Sequence, residues 1–224
     1  MKENILRPLR VVAVSGGLQR SSKSTVLAEH LLRAIAEAVH GEVRLVTVGE
    51  LVPQLAGATF RTQLPPAVEQ ALAAVECADI LIVSTPVFRG SYTGMFKHFF
   101  DLIHQDALMD KPVLLAAVGG SQRHALVLEH QLRPLFSFFQ ARTLPLGIYA
   151  TECDFADGGL RSAALLERAR LAVERALPVI ALTCQTTAGA HVEGAMGESA
   201  HWIDQANARQ GAAQYPFLKG TPHV

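Results

Sequence analysis

Five short apolar runs, Leu9–Val14, Val43–Val48, Ile80–Ser84, Val113–Val118 and Thr143–Tyr149, recur along the chain with helix-period segments between them. The runs have strand length, and Val11–Val14 has the unbroken apolar character of a buried parallel strand. The intervening segments Ser24–Val39, Pro65–Glu76, Tyr92–His104 and Gln122–Gln140, and a last one at Leu160–Ile180, carry apolar residues three and four apart, as amphipathic helices do. Strand and helix in alternation predict an α/β architecture: an open, doubly wound, five-stranded parallel sheet with right-handed crossovers. Ligands of such sheets bind outside the carboxyl ends of the strands, where the strand order reverses. The loops after Val14, Ser84 and Val118 are therefore expected to meet at one site.

A chain of 224 residues that is 50% hydrophobic can bury one large core. One domain over residues 1–182 is expected, because the periodic pattern stops after Ala181. Residues 183–224, rich in Gly, Ala, Thr, Gln and His, read as a flexible C-terminal tail or an arm that wraps a partner. Lysine and arginine total 20 and are matched by 20 aspartates and glutamates, with no basic stripe, which argues against nucleic acid as a partner. Cys77, Cys153 and Cys184 form no metal-ligand or disulfide spacing, so no metal site is expected. The charged N-terminus lacks an apolar signal core and no run approaches a bilayer span, so a soluble, cytoplasmic protein without membrane attachment is expected.

The first loop, Ser15-Gly16-Gly17-Leu18-Gln19-Arg20-Ser21-Ser22-Lys23-Ser24-Thr25, joins a strand to a helix and reads as a phosphate cradle. A helix N-terminus presents unpaired N–H groups and partial positive charge. Ser15, Ser22, Ser24 and Thr25 add hydroxyls, and Arg20 adds a guanidinium fork. The loop has Ser22 where a P-loop needs glycine before its lysine, and it lacks the G-x-G-x-x-G spacing. Many hydroxyls and few glycines suit the terminal phosphate of a mononucleotide, with flavin mononucleotide (FMN) the leading candidate. A capped helix after a turn is the plainer alternative.

The second loop, Thr85-Pro86-Val87-Phe88-Arg89-Gly90-Ser91-Tyr92-Thr93-Gly94, has features suited to a flat ring. Pro86 fixes chain direction, Phe88 and Tyr92 can pack along the ring, and Gly90 and Gly94 permit close approach. Backbone donors of Pro86–Arg89, Val87 among them, face ring acceptors in this reading, and Arg89 meets a phosphate or solvent. Lys97, a turn into the next helix, is a candidate counter-charge for reduced flavin or a solvated lysine. The third loop, Val118-Gly119-Gly120-Ser121-Gln122-Arg123-His124, reads either as paired glycines whose N–H groups polarise the pyrimidine edge or as a simple turn with Ser121 as an N-cap and His124 on the helix surface. No H-E-x-x-H or G-x-S-x-G motif occurs, and no catalytic acid or nucleophile is assigned.

Together these loops resemble the NAD(P)H-dependent FMN reductases, a flavodoxin-like family, over about residues 9–180. The likeness rests on Ser15 with Arg20 to Thr25, on Thr85 to Gly94 with Lys97, and on Val118 to Ser121 with His124. Asp101-Leu102, Arg123-His124-Ala125 and Leu132-Arg133-Pro134 resemble more closely the reductase components of bacterial methanesulfonate and alkanesulfonate monooxygenase systems. The resemblance implies strand order 2-1-3-4-5 and reduction of FMN by NADPH or NADH. It also implies delivery of reduced FMN to a flavin-dependent sulfonate monooxygenase, and a homo-oligomer, dimer or tetramer. Phe88 stands where the family commonly has tyrosine, and the first loop is longer than usual at Gly16 to Gln19. Two rivals share the fold: an FMN-bound quinone, azo or metal-ion reductase, and a non-catalytic flavodoxin-like carrier.

Pro134 lacks an N–H, so the His130 carbonyl loses its i+4 donor and the helix should distort there, either as a proline kink with His130 facing solvent or as a π-type turn. In the alkanesulfonate reductases the matching residue is an insertion that makes a π-type turn at the tetramer interface. The resemblance therefore implies that His130 occupies a π-type turn near an oligomer interface and the flavin site, where it tunes flavin exchange.

Overall fold

The computed structural model describes residues 8–19 and 21–191, with side chains through residue 183. Strands β1 (Arg10–Ser15), β2 (Glu42–Thr47), β3 (Ile80–Pro86) and β4 (Pro112–Gly119) are parallel, and the fifth position is shared by β5 (Arg142–Thr143) and β6 (Ile148–Thr151). The order is β2-β1-β3-β4-β5, with β6 also paired to β4, which is the flavodoxin-like order expected. The fifth strand is broken where Thr143–Tyr149 predicts one run. Pro145 has no N–H to donate to the ladder, so pairing stops after Thr143 and resumes at Ile148.

Alternate strand residues face opposite layers. Val12, Val14, Leu81, Val83, Val113 and Leu115 pack with α2 (Val48–Leu55), α3 (Pro66–Glu76), α4 (Gly94–Asp101) and α5 (Arg133–Phe138). Val11, Ala13, Ile80, Ile82, Leu114 and Ala116 pack with α1 (Lys23–Val39) and α6 (Ala163–His191). A short hairpin, β7 (Phe155–Ala156) with β8 (Gly159–Leu160), precedes α6. In the first layer Phe100 lies 4.8 Å from Phe96 and 5.0 Å from Phe136, centroid to centroid, in tilted and edge-on contacts. This aromatic cluster is core, whereas Phe138 is exposed.

Several elements differ from expectation. The α2 and β7–β8 segments carry no clear period. The segment Gln122–Gln140 is not one helix: it runs as a 3₁₀ turn (Gln122–His124), a π turn (Leu128–Leu132) and α5. The π turn expected at His130 is therefore present, closed by the Arg133 N–H donating to the Leu128 carbonyl five residues back. Helix α4 starts at Gly94 rather than Tyr92, because Thr93 caps it by accepting from the Phe96 N–H at 3.3 Å. Helix α6 continues to His191, so residues 183–191 are helical backbone rather than the start of a tail; 192–224 lie outside the described residues. Among the described residues no helix is long and apolar enough to cross a membrane.

At the opposite edge of the sheet from the three loops, Lys111 is 8% exposed and its Nζ donates to the carbonyls of Val75 (3.0 Å) and Glu76 (2.8 Å), capping α3. Burial pushes its pKa down to about 8, against the pull of nearby Cys77, Asp79 and Glu76 and with the push of Arg10. The unfolded chain keeps this proton up to about pH 10.4, so between about pH 8 and 10 unfolding takes up a proton and this lysine's contribution to stability rises with pH. Urea unfolding at pH 7.5 and 9.5 should show wild type gaining roughly 1–2 kcal/mol relative to Lys111→Met. Parallel pH profiles would mean that the lysine is charged throughout this range.

Candidate functional site

The first loop folds back on its own hydroxyls. Ser15, fully buried at the end of β1, places its Oγ 2.7 Å from Thr25 Oγ1 and 3.5 Å from Ser24 Oγ, and Ser22 Oγ is 2.8 Å from Ser24 Oγ. The Gly17 N–H donates to Ser15 Oγ at 3.3 Å, and the Gly16 N–H to the Ser84 carbonyl at 2.8 Å. The four residues Ser15, Ser22, Ser24 and Thr25 are thus brought together. The buried pair Ser15–Thr25 shapes the loop, while half-buried Ser22 lies nearer its open side. The amides of Gln19, Ser21, Lys23 and Ser24 make no hydrogen bond among the described residues, which leaves donors at the start of α1 for an anion. Arg20 lies outside the described residues. Lys23 reaches exposed Glu152 at 3.6 Å.

The second loop joins the first through Thr93, whose Oγ1 donates to the Gly16 carbonyl at 3.0 Å while capping α4. Phe88 and Ser91 exchange two backbone hydrogen bonds, Phe88 N–H to Ser91 O at 2.8 Å and Ser91 N–H to Phe88 O at 3.1 Å. Between them Arg89 (φ 52°) and Gly90 (φ 85°) both take left-handed conformations, as a type I′ turn requires. This narrows the donors. Pro86 has no N–H, Val87 gives its N–H to the Val118 carbonyl at 2.8 Å, and the Phe88 N–H is used in the turn. The amides of Arg89 and Gly90 have no partner among the described residues. Phe88 is 52% exposed, and Tyr92 packs on Phe96 with centroids 5.7 Å apart. Gly94 opens α4 with free space around its Cα. Lys97 pairs along α4 with Asp101 rather than extending alone.

The third loop is held by Tyr149 of β6, whose hydroxyl donates to the Ser121 carbonyl at 2.6 Å. Burial pushes the Tyr149 phenol pKa up, so the donor stays protonated at neutral pH. This contact explains Gly119 differently from the expectation of a flavin edge: a Cβ there would lie 2.0 Å from the Tyr149 oxygen. Gly120 faces open space, and the amides of Gly120 and Ser121 have no partner among the described residues. His124 is exposed at the end of the 3₁₀ turn, and His130 is exposed in the π turn.

The paired strand registers Ser15↔Ser84 and Pro86↔Val118 bring the three loops to the carboxyl edge around β1, β3 and β4. A buried hydroxyl cradle lies on one side, and two exposed loops with unpaired amides lie on the other. That donor set suits a phosphate joined to a flat ring with acceptors along one edge, which is the chemistry of FMN. Sequence reading passed over Thr93 and Tyr149. A threonine three residues ahead of the first buried helix position is a legible capping signal for Thr93. Tyr149 meets Gly119 only through long-range strand pairing.

The family model for NADPH-dependent FMN reductases matches residues 9–156. An NADH-dependent FMN reductase of Pseudomonas putida, SfnE, is 58% identical over 172 residues, covering 77% of this chain and 92% of its own. An FMN reductase (NADPH) of Pseudomonas aeruginosa is 49% identical over 172 residues, with the same shares. The solved structure of an oxidoreductase from Corynebacterium diphtheriae is 34% identical, with a TM-score of 0.70 over 79% of this chain and 98% of its own. With a sheet order, loop set and relatives in agreement, this chain is an FMN reductase belonging to the NADPH-dependent FMN reductase family.

Proposed function

We propose that this enzyme is the reductase half of a two-component system, reducing FMN with NADH or NADPH and releasing it to a flavin-dependent sulfonate monooxygenase. The observation that carries the reading is the contrast between the loops: the phosphate side is buried at Ser15, Ser24 and Thr25, whereas Phe88, Arg89, Gly90, Gly120 and Ser121 are exposed. A ring held at an open rim can leave after reduction. Relatives named for both NADH and NADPH leave either nucleotide as donor.

In this reading the amides of Gln19, Ser21, Lys23 and Ser24, with Ser22 and Arg20, bind the phosphate. The amides of Arg89, Gly90, Gly120 and Ser121 orient the ring and stabilise negative charge at its pyrimidine edge. Phe88, Tyr92, Val87 and Pro86 form the apolar wall that excludes water beside the ring, and His124 flanks the third loop. Bound flavin supplies the hydride acceptor, so the protein needs no acid or nucleophile of its own. Lys97, already paired with Asp101, acts only at longer range. In this reading the enzyme works in the cytoplasm as a homo-oligomer, dimer or tetramer, with exposed His130 near the interface.

The test is NADH and NADPH oxidation by flavin-stripped protein as free FMN is titrated, with gel filtration of the product. Saturable FMN-dependent turnover with flavin in the small-molecule fractions is expected. Flavin that stays with the protein and turns over only with added quinone or dye would overturn the delivery role in favour of a bound-FMN reductase.

A further inference from the structure

The π turn and the second loop are joined by one side-chain bond. Ser91 Oγ donates to Gln131 Oε1 at 2.9 Å, across forty residues of chain, and both groups are half-buried. Gln131 sits inside the π turn Leu128–Leu132. The rest of that turn is fixed to the sheet edge by Arg133. Its Nε and Nη2 grip Glu129 at 2.5 and 2.8 Å, and its Nη1 reaches Thr143 Oγ1 at 2.8 Å and the Leu144 carbonyl at 3.3 Å. The Glu129 carboxyl is held below its ordinary pKa by this guanidinium, so the clamp stays charged at neutral pH.

What the clamp steadies is a turn that is poorly determined by itself. A two-residue hairpin closed by two backbone bonds is marginal in water, and Arg89 in the left-handed region adds a cost of roughly 1–2 kcal/mol. Among the described residues, Ser91–Gln131 is the side-chain hydrogen bond that anchors this turn to another element. The wide turn also sets the reach. In an α-helix each residue advances about 100° around the axis, so the extra residue of a π turn shifts its neighbours by that angle, and the side chain at 131 faces the second loop only in this register.

We infer that Gln131 is a positioning residue for the flavin loop: through Ser91 it holds the Phe88–Ser91 turn so that the Arg89 and Gly90 amides stand ready for the ring. This rests on the reading above that those amides orient FMN. It assigns the π turn a local task, since the register of the helix at Gln131 decides whether the turn is ordered before flavin arrives. Ordering in advance lowers the entropy lost on binding, so its loss appears in flavin affinity before it appears in hydride transfer.

The experiment measures the FMN dissociation constant by fluorescence titration of flavin-stripped protein without nicotinamide nucleotide, together with KM for FMN, kcat and Tm. It compares wild type, Gln131→Leu, Ser91→Ala, the double variant and Gln131→Glu. Each of the first two single variants should weaken FMN binding about five- to tenfold, with KM for FMN rising in step and kcat at saturating FMN changing much less. The double variant should be no weaker than either single one, because both remove the same bond. Gln131→Glu, which keeps the acceptor, should restore affinity to within about twofold. An unchanged dissociation constant in Gln131→Leu beside normal wild-type binding, or additive losses in the double variant, would overturn the inference while leaving the flavin site standing. Wild-type protein that binds no FMN would instead overturn the reading on which it rests.

Discussion

Gly17→Val is expected to weaken FMN binding by a hundredfold or more, about 2.7 kcal/mol, and to lower the unfolding free energy by roughly 1–3 kcal/mol. A Cβ at Gly17 would lie 2.4 Å from both Cβ and Oγ of Ser22 and 2.8 Å from Ser24 Oγ. The Ser22 Cβ is bonded directly to the backbone, so no rotamer change relieves the contact and the loop itself must open. Gly17 is also tied at both ends, its N–H to Ser15 Oγ and its carbonyl to the Gly49 N–H at 3.1 Å. Opening therefore disturbs the hydroxyl cluster and the start of α1, where the unpaired amides are. Calorimetric titration with FMN and urea unfolding measure the two effects separately. Tight FMN binding by a folded Gly17→Val protein would show that the phosphate is held elsewhere.

The second large effect belongs to Gly119 and Tyr149. Gly119→Ala should raise KM for FMN about tenfold while costing only about 0.5–1.5 kcal/mol of stability, the net worth of one hydrogen bond. The side chain that must yield is the far end of Tyr149, with its oxygen 2.0 Å and its Cζ 3.0 Å from the new Cβ. The ring can swing aside, so the fold survives, but the Ser121 carbonyl loses its 2.6 Å donor and the third loop its anchor. Tyr149→Phe removes the same bond without the closest clash. The double variant should match Tyr149→Phe in stability within about 0.5 kcal/mol, where two independent losses would add. Additive losses would mean that alanine at 119 acts on the strand and not through Tyr149.

Much of this molecule was legible in its sequence. The apolar runs located the strands to within a residue or two at β1 to β4: β1, β3 and β4 are buried on both faces and leave unbroken apolar signals, while the edge strand β2, partly exposed, shows through its β-branched residues alone. The hydroxyl cluster Ser15, Ser22, Ser24 and Thr25 was legible for a similar reason: its members lie close together in the chain. The π turn at His130 was anticipated from Pro134 together with the family likeness. Less was legible where a residue's role depends on a distant partner. The Val87 amide could not be known to be committed to the Val118 carbonyl, whereas the four-residue spacing of Lys97 and Asp101 was a legible pairing signal that favoured an ion pair along the helix over a ligand contact.

Local chemistry by itself determined the fold class, the places of the first four strands and the gathering of Ser15, Ser22, Ser24 and Thr25 in one loop. Periodicity, hydroxyl density and helix termini are short-range properties, and they are written into consecutive residues. The tertiary structure decided which donors remain available and what holds the outer loops. Tyr149 reaches Ser121 and Gln131 reaches Ser91 only after β6 has paired with β4 and the helix after the third loop has widened by one residue. These contacts span 28 and 40 positions. They arise from strand register and helix phase, which sum over the whole chain and leave no signature in any one segment of it.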